Sequence, residues 1–405
     1  MAALANVGGH RIFAADPNRA RPPVSPLSRR RFVHLLGAGA AGSMLVPAVA
    51  ARGMEARFAP REPEGATRAK GLIRLDSNEN PNGPGRAALA AIGGVTSVVN
   101  RYPDDASDAL EAALARVHGV APASVCVSCG STDVLRAAVQ AYASPTRAVV
   151  TVAPTYESPA WEAERVGAPV RVVPVRADLM LDLDAMAAES RGAGLVYVCN
   201  PNNPTATVHG AAAVQDFIAR VLRDSPETTI LVDEAYHEYV DDPAYRTMLP
   251  RALENPRVVV ARTFSKVHGM AGLRVGYAVG HPDTIKAIAR HVLDIGVNVV
   301  GATAAMASLG ERGHVEREQA RNREARAHTM RFFRDAGFAP APSQANFVMV
   351  DIKRDVKTFR EACRARGVAI GRLFPPLLTH ARVSIGTMDE MREATRVFRQ
   401  VLSMA

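Results

Sequence analysis

Seven short apolar runs, at 125–128, 148–152, 170–175, 195–199, 229–233, 258–261 and 275–279, are separated mostly by stretches of helical spacing. Runs of this kind read as buried strands. Strands that alternate with helices predict an α/β fold, with a mostly parallel central sheet covered by helices. The pattern changes after about residue 294. A long charged helix is expected at 311–335. Strands at 346–352 and 382–385 flank a helix at 356–366, and a last helix runs over 389–402. That sequence of elements reads as a smaller α+β domain. Ahead of the alternating region, 72–75 suits a short strand and 76–84 is dense in turn chemistry. Helices are expected at 85–92 and 108–118, with a break at Arg101-Tyr102-Pro103-Asp104. A chain of 405 residues, 48% hydrophobic, has ample material for two domains. No internal repeat is present.

The net charge of +9 is uneven. Residues 1–50 carry Arg11, Arg19, Arg21, Arg29, Arg30 and Arg31 against Asp16, a net +5 that leaves only +4 for the rest. So small an excess on the folded part argues against a nucleic-acid partner. The first 27 residues read as a disordered leader. Ser28-Arg29-Arg30-Arg31-Phe32-Val33-His34 then precedes a weakly apolar, Gly- and Ala-rich segment at 35–49, which ends in Ala48-Val49-Ala50. Paired arginines, such a segment and a small-residue cleavage pattern resemble a twin-arginine export signal. The expected location is therefore periplasmic or otherwise outside the cytoplasm, and cytoplasmic if the leader is not functional. The apolar segment is too short for a typical membrane span, so the only membrane contact expected is through export. The alternative is a basic leader with a chance Ala-rich helix. Residues 51–70 form a charged linker. Of the four cysteines, Cys126 and Cys129 have metal-ligand spacing. No second pair completes a site, so core cysteines and no metal are expected.

The richest stretch for chemistry runs over 261–276. Val258-Val259-Val260 feeds into Thr263, Ser265 and Lys266, followed by Gly269, Gly272 and Arg274. A lysine at the end of a buried strand can lose its proton and form a Schiff base with a carbonyl. The hydroxyls and Arg274 offer donors for a phosphate. Together they suggest pyridoxal phosphate held by Lys266; on this stretch alone a surface loop with an exposed lysine is an equal alternative. Gly130-Ser131-Thr132 marks a strand-to-helix change, where backbone N–H groups suit a phosphate or simply an N-cap. Tyr156 in Pro154-Thr155-Tyr156 stacks on a flat ring or belongs to the core. Asn203, in Asn200-Pro201-Asn202-Asn203-Pro204-Thr205, is an amide aimed by a rigid turn, or a plain turn residue. Asp233 and Tyr236 follow another strand. A carboxylate there would keep a pyridine nitrogen protonated, and Tyr236 could bond the ring oxygen.

In this order and spacing, the series resembles the aspartate-aminotransferase-fold enzymes, fold-type I pyridoxal-phosphate enzymes, and among them the histidinol-phosphate aminotransferase family in particular. The resemblance covers about residues 70–400. It implies pyridoxal 5′-phosphate as cofactor and Lys266 as the Schiff-base lysine. Asp233 would be partner to the pyridine nitrogen, with Tyr236 and Asn203 at the phenolic oxygen and Tyr156 on the ring. Ser131, Thr132, Thr263, Ser265 and Arg274 would form the phosphate set. Tyr102 would reach the phosphate of a second subunit, which implies a homodimer. Arg382, in Arg-Val-Ser-Ile-Gly, would grip the substrate α-carboxylate. Asn78-Glu79-Asn80-Pro81 would form an arm closing over the site, placing Asn80 among the substrate-binding residues. The resulting division is a leader at 1–50, then linker, arm and part of the small domain at 51–100. A large cofactor-binding domain follows at 101–295, and a small domain at 296–405.

Three features depart from the family. Ala206 stands where a glycine usually follows Asn-Pro-Thr; a slight effect on the turn is expected. The family's Gly-Val strand leads to an arginine that binds the phosphate of histidinol phosphate. Here it reads Gly367-Val368-Ala369-Ile370-Gly371-Arg372, with a glycine ahead of the arginine, so the register of Arg372 is open. Histidine biosynthesis is cytoplasmic, so an exported chain makes histidinol phosphate a poor substrate. The expected activity is transfer of an amino group between an amino acid and a 2-oxo acid by a ping-pong mechanism. A decarboxylase, lyase or oxidase on the same cofactor is the alternative. A cofactor-binding regulator is disfavoured because no helix-turn-helix pattern precedes the domain. A dinucleotide binder is disfavoured because no Gly-x-Gly-x-x-Gly follows the first strand.

Overall fold

The computed structural model describes residues 71–403. Its centre is a seven-stranded sheet of β2 (Val125–Ser128), β3 (Val149–Ala153), β4 (Val170–Pro174), β5 (Leu195–Cys199), β6 (Thr229–Asp233), β7 (Val258–Thr263) and β8 (Gly276–Gly280). The spatial order is β2-β8-β7-β6-β5-β3-β4. Four neighbouring pairs are parallel, and β8 runs antiparallel to both β7 and β2. The mostly parallel α/β fold read from the alternating runs is the fold observed.

Strand periodicity divides the side chains between two helical layers. Val150, Val152, Val196, Val198, Ile230, Val232, Val258 and Val260 pack on one face. There they meet α5 (Leu183–Glu189), α6 (Ala211–Asp224) and α7 (Leu249–Glu254) through Met186, Phe217, Ile218 and Ala252. The intervening residues Val149, Leu195, Tyr197, Cys199, Leu231, Val259 and Ala261 pack on the other. They meet α3 (Ser131–Tyr142), α4 (Ser158–Arg165) and α8 (Pro282–Ala289) through Leu135, Ala163 and Ile288. Asp233 follows Leu231 by two residues and so shares the face of Tyr197 and Cys199.

Four short strands and three helices form a second core. β1 (Ile73–Leu75) pairs in parallel with β10 (Val368–Ile370), and β9 (Phe347–Asp351) pairs antiparallel with β11 (His380–Ser384). Leu75, Val348, Val350, Val368, Ile370 and Val383 pack there against Phe333, Phe359 and Phe398. Those aromatics come from α10 (His314–Asp335), α11 (Val356–Arg364) and α12 (Met388–Ser403).

Several boundaries differ from the expected ones. The helix expected at 108–118 is α2 (Asp104–His118); it begins directly after Pro103, with Asp104 and Asp105 in its first turn, where negative charge suits the helix dipole. The helix expected at 85–92 is α1 (Arg86–Val95). The long charged helix begins at His314, because Gly313 takes a left-handed φ of 71°. A helix absent from the sequence reading, α9 (Val299–Gly310), packs against α1 and α2. Its sequence is small and apolar on nearly every side, so it lacks the polar face that marks an amphipathic helix. Among the described residues no helix is long and apolar enough to cross a membrane. The leader, its paired arginines and the linker lie outside the described residues.

Candidate active site

The site gathers at the carboxyl ends of β5, β6 and β7. Asp233 ends β6 and stands in register with Cys199 at the end of β5. The Tyr197 hydroxyl donates to Asp233 Oδ2 across 2.8 Å, and the Ala235 N–H donates to Oδ1 across 3.1 Å. Burial pushes the Asp233 carboxyl up to about 6, restrained by these two donors and by Lys266. Asp233 is therefore still ionised at neutral pH. The neighbouring Glu234 forms a buried pair with Arg262 of β7 at 2.8 Å, also bonded to Thr247, which ties the ends of β6 and β7 together.

Beyond β7 the chain turns sharply. Ser265 N–H donates to Thr263 Oγ1, and Phe264 N–H to the Val275 carbonyl. The Thr263 hydroxyl also donates to that carbonyl, at 3.4 Å, so it is engaged in bracing the turn. Lys266 is half-buried and its Nζ donates to the Asn78 carbonyl across 3.2 Å. Burial, and then nearby Arg382, push the Lys266 ammonium down to about 8, against the opposing pull of Glu79 and Asp233. The arm packs directly on this turn. Asn80 Nδ2 donates to the Val267 carbonyl at 2.9 Å. Gly269 has φ of 70°, and a Cβ on it would stand 2.1 Å from the Gly83 carbonyl oxygen. Only glycine lets the two backbones approach this closely.

Donors converge at the start of α3. Gly130 precedes it with φ of 72°, and no side chain caps the helix. The Arg274 guanidinium lies against this end: a Cβ on Gly130 would be 2.4 Å from Arg274 Nη2. Arg274 Nη1 donates to Ser265 Oγ at 3.3 Å, and Thr132 Oγ1 lies 3.1 Å from the Tyr156 hydroxyl. Ser131, Thr132, Ser265 and Arg274 thus stand around one helix N-terminus. Among the described residues no carboxylate pairs with Arg274, so the cluster has the makeup of a phosphate site.

Arg382 is 7% exposed. Its Nη1 donates to Asn203 Oδ1 at 2.9 Å and its Nη2 to the Asp76 carbonyl at 2.8 Å, while its Nε has no partner. Burial disfavours its charge, yet a guanidinium keeps its proton. No carboxylate pairs with it among the described residues. A buried cation with an unsatisfied N–H suits an incoming carboxylate. Arg372, half-exposed, instead pairs its Nη2 with the Glu157 carboxylate.

Asn78 links Lys266 to Tyr236, Arg382 bonds Asn203 directly, and the Asp233 charge acts on Lys266. Tyr102 is 80% exposed, and none of these bonds reaches it. Ala206, at the departure from glycine, takes a left-handed φ of 63°. The sequence reading placed Asn78 in the arm but gave it no role of its own, and it is the hub. It is buried, its Nδ2 donates to the Tyr236 hydroxyl at 3.3 Å, and its N–H and Oδ1 both bond Ser384 Oγ. Its carbonyl accepts from Lys266 and from Asn346 Nδ2. Tyr197 was missed, since an aromatic in mid-strand reads as core.

Comparison with known proteins accounts for this arrangement. The family described as "Aminotransferase class I and II" matches residues 70–398. The chain belongs to the class I and II aminotransferases. A histidinol-phosphate aminotransferase of Symbiobacterium thermophilum is 36% identical over 335 residues, 82% of this chain and 91% of that protein. An aromatic amino acid aminotransferase of Mycolicibacterium paratuberculosis is 40% identical over 324 residues, 79% and 89% of the two chains. The solved histidinol-phosphate aminotransferase of Sinorhizobium meliloti, in complex with pyridoxal 5′-phosphate, is 26% identical. It has a TM-score of 0.76 and covers 90% of this chain and 100% of that one. This transaminase therefore has the aspartate-aminotransferase fold and uses pyridoxal phosphate. The residues present fit that cofactor on three counts: the unpaired Arg274 at an uncapped helix start, an ionised buried carboxylate at Asp233, and a lysine whose pKa is lowered between them.

Proposed function

We propose that this aminotransferase moves an amino group between an α-amino acid and a 2-oxo acid in two half-reactions at one site. The observation that carries the reading is the meeting of Lys266, Asp233, the uncapped start of α3 and the unpaired Arg382. Lys266 Nζ, with its pKa near 8, exchanges protons readily around neutral pH. It is placed to take the substrate α-proton as base and to give a proton back as acid. When bound, the cofactor supplies a protonated ring that accepts the electrons of the broken Cα–H bond. The Asp233 charge keeps that ring protonated, while Tyr236 and the Asn203 amide donate to its phenolic oxygen and Tyr156 covers its face. Ser131, Thr132, Thr263, Ser265 and Arg274 hold the phosphate, Thr263 chiefly by bracing the turn. Arg382 exchanges its contacts with Asn203 and Asp76 for a two-bond grip on the α-carboxylate. Asn80 keeps the arm closed on the lysine turn.

The substrate class follows from Arg372. Its guanidinium already has a carboxylate partner, which argues against a site built for the phosphate of histidinol phosphate. The 40% identity to an aromatic amino acid aminotransferase supports an amino-acid donor. Adding single amino acids to purified holoenzyme should bleach the visible cofactor band and release one equivalent of 2-oxo acid per site. Release of carbon dioxide instead would favour the decarboxylase alternative.

Two further parts belong to this reading. Tyr102 completes the phosphate site of a second copy, so the active form is a homodimer. Exposed Leu89, Val98 and Val99 in the same region support such an interface, and light scattering of an active monomer would refute it. Export by the twin-arginine route carries the folded holoenzyme out after the cofactor is loaded. Replacing Arg29 and Arg30 by lysine should leave active enzyme in the cytoplasm. Finding the unaltered protein only there, with residues 1–50 attached, would overturn the export proposal.

A further inference from the structure

The Glu157–Arg372 ion pair joins two walls of the site. Glu157 follows Tyr156, whose hydroxyl meets Thr132 at the start of α3. Arg372 lies beyond β10, and its guanidinium carbon stands 4.3 Å from the centre of the Phe374 ring. The guanidinium carbon of Arg382 stands 4.7 Å from the same ring. Phe374 is itself 3% exposed. Two arginines therefore share one aromatic ring, one with a carboxylate partner and one without.

An unpaired arginine beside the carboxylate-binding one would form a second anion subsite. It would welcome acidic or phosphorylated side chains. Here that charge is already neutralised. An anionic side chain would have to displace Glu157 from Arg372, leaving a carboxylate unpaired, or lie beside Glu157 and be repelled. An uncharged side chain avoids both penalties. Half-exposed ion pairs contribute little to folding stability, so replacing Glu157 is expected to leave the fold intact.

We infer that Glu157 is a specificity-determining residue: by holding Arg372 it closes the site to substrates with an anionic side chain and favours uncharged ones. This rests on the aminotransferase site assigned to Lys266 and Arg382. Both half-reactions use one site, so the same selection extends to the acceptor, a monocarboxylic 2-oxo acid over a dicarboxylic one.

The test compares wild-type, Glu157→Gln and Glu157→Gln/Arg372→Gln holoenzymes in half-reactions with L-glutamate and L-phenylalanine. Cofactor content is read from absorbance as a control for folding. In Glu157→Gln the ratio of kcat/KM for glutamate to that for phenylalanine should rise tenfold or more, mainly through KM. The double variant should lose that gain, because no free guanidinium remains. An unchanged ratio in cofactor-loaded Glu157→Gln overturns the assignment of Glu157 alone. A wild-type enzyme that converts neither donor and none of the other amino acids overturns the underlying functional reading as well.

Discussion

Tyr197 and Asp233 lie on adjacent strands, both almost wholly buried, with the phenol donating to the carboxylate across 2.8 Å. Burial alone favours a neutral Asp233, whereas the chemistry needs it charged. The hydroxyl of Tyr197 is one of the groups that settles this contest in favour of the charge. Tyr197→Phe should therefore move the acid limb of activity to higher pH, by about one unit for a charge-assisted bond worth ~1.5 kcal/mol. The pH profile of kcat with the variant checks this, and an unmoved acid limb would count against it.

Lys266 offers a second pH test. Its ammonium is pushed down to about 8, and only the unprotonated amine attacks a carbonyl. The rate at which apoenzyme captures pyridoxal phosphate should therefore rise with pH through about 8. A rise centred near the ordinary lysine value of about 10.4 would show that burial and Arg382 do not tune this amine.

Arg382→Lys should weaken amino-acid binding strongly. Lysine places one point charge where the guanidinium offers a fork. Losing one side of a buried charged pair costs about 2–5 kcal/mol, a large rise in half-saturation. Unchanged half-saturation for every substrate would reject the role of Arg382.

Gly276 tests the phosphate cradle from the backbone side. A Cβ there would stand 2.1 Å from the backbone nitrogen of Ser131. Gly276→Ala should push the start of α3 away from Arg274, costing about 1–3 kcal/mol in stability as overpacking does. Thermal unfolding and cofactor titration should show a lower Tm together with weaker binding. A variant as stable and as well loaded as wild type would show that the contact is not tight.

Much of the site could be read in the sequence because it sits at strand ends. The runs expected at 195–199 and 229–233 coincide with β5 and β6, and a strand end places its last residues by itself. Lys266, Asp233 and Asn203 carry side chains whose chemistry has few other uses there. Asn78 could be read only as part of the arm, because 76–84 is turn chemistry and its partners Tyr236, Asn346 and Ser384 are 158 to 306 residues away. No local pattern records such contacts. Glu157 was hidden in the same way, since its meaning comes from Arg372, which is 215 residues distant. α9 was missed for a different reason: buried among α1 and α2, it has no polar face to give it a helical period.

Lys266 is assigned here as the residue that holds the cofactor. Borohydride reduction of the holoenzyme, followed by peptide mass mapping, tests it most directly. The chain offers few competitors: the other lysines are Lys70, Lys286, Lys353 and Lys357. The reduced cofactor is expected on Lys266, at one per chain, and none in Lys266→Ala. Cofactor fixed to any other lysine, or to none, would contradict it.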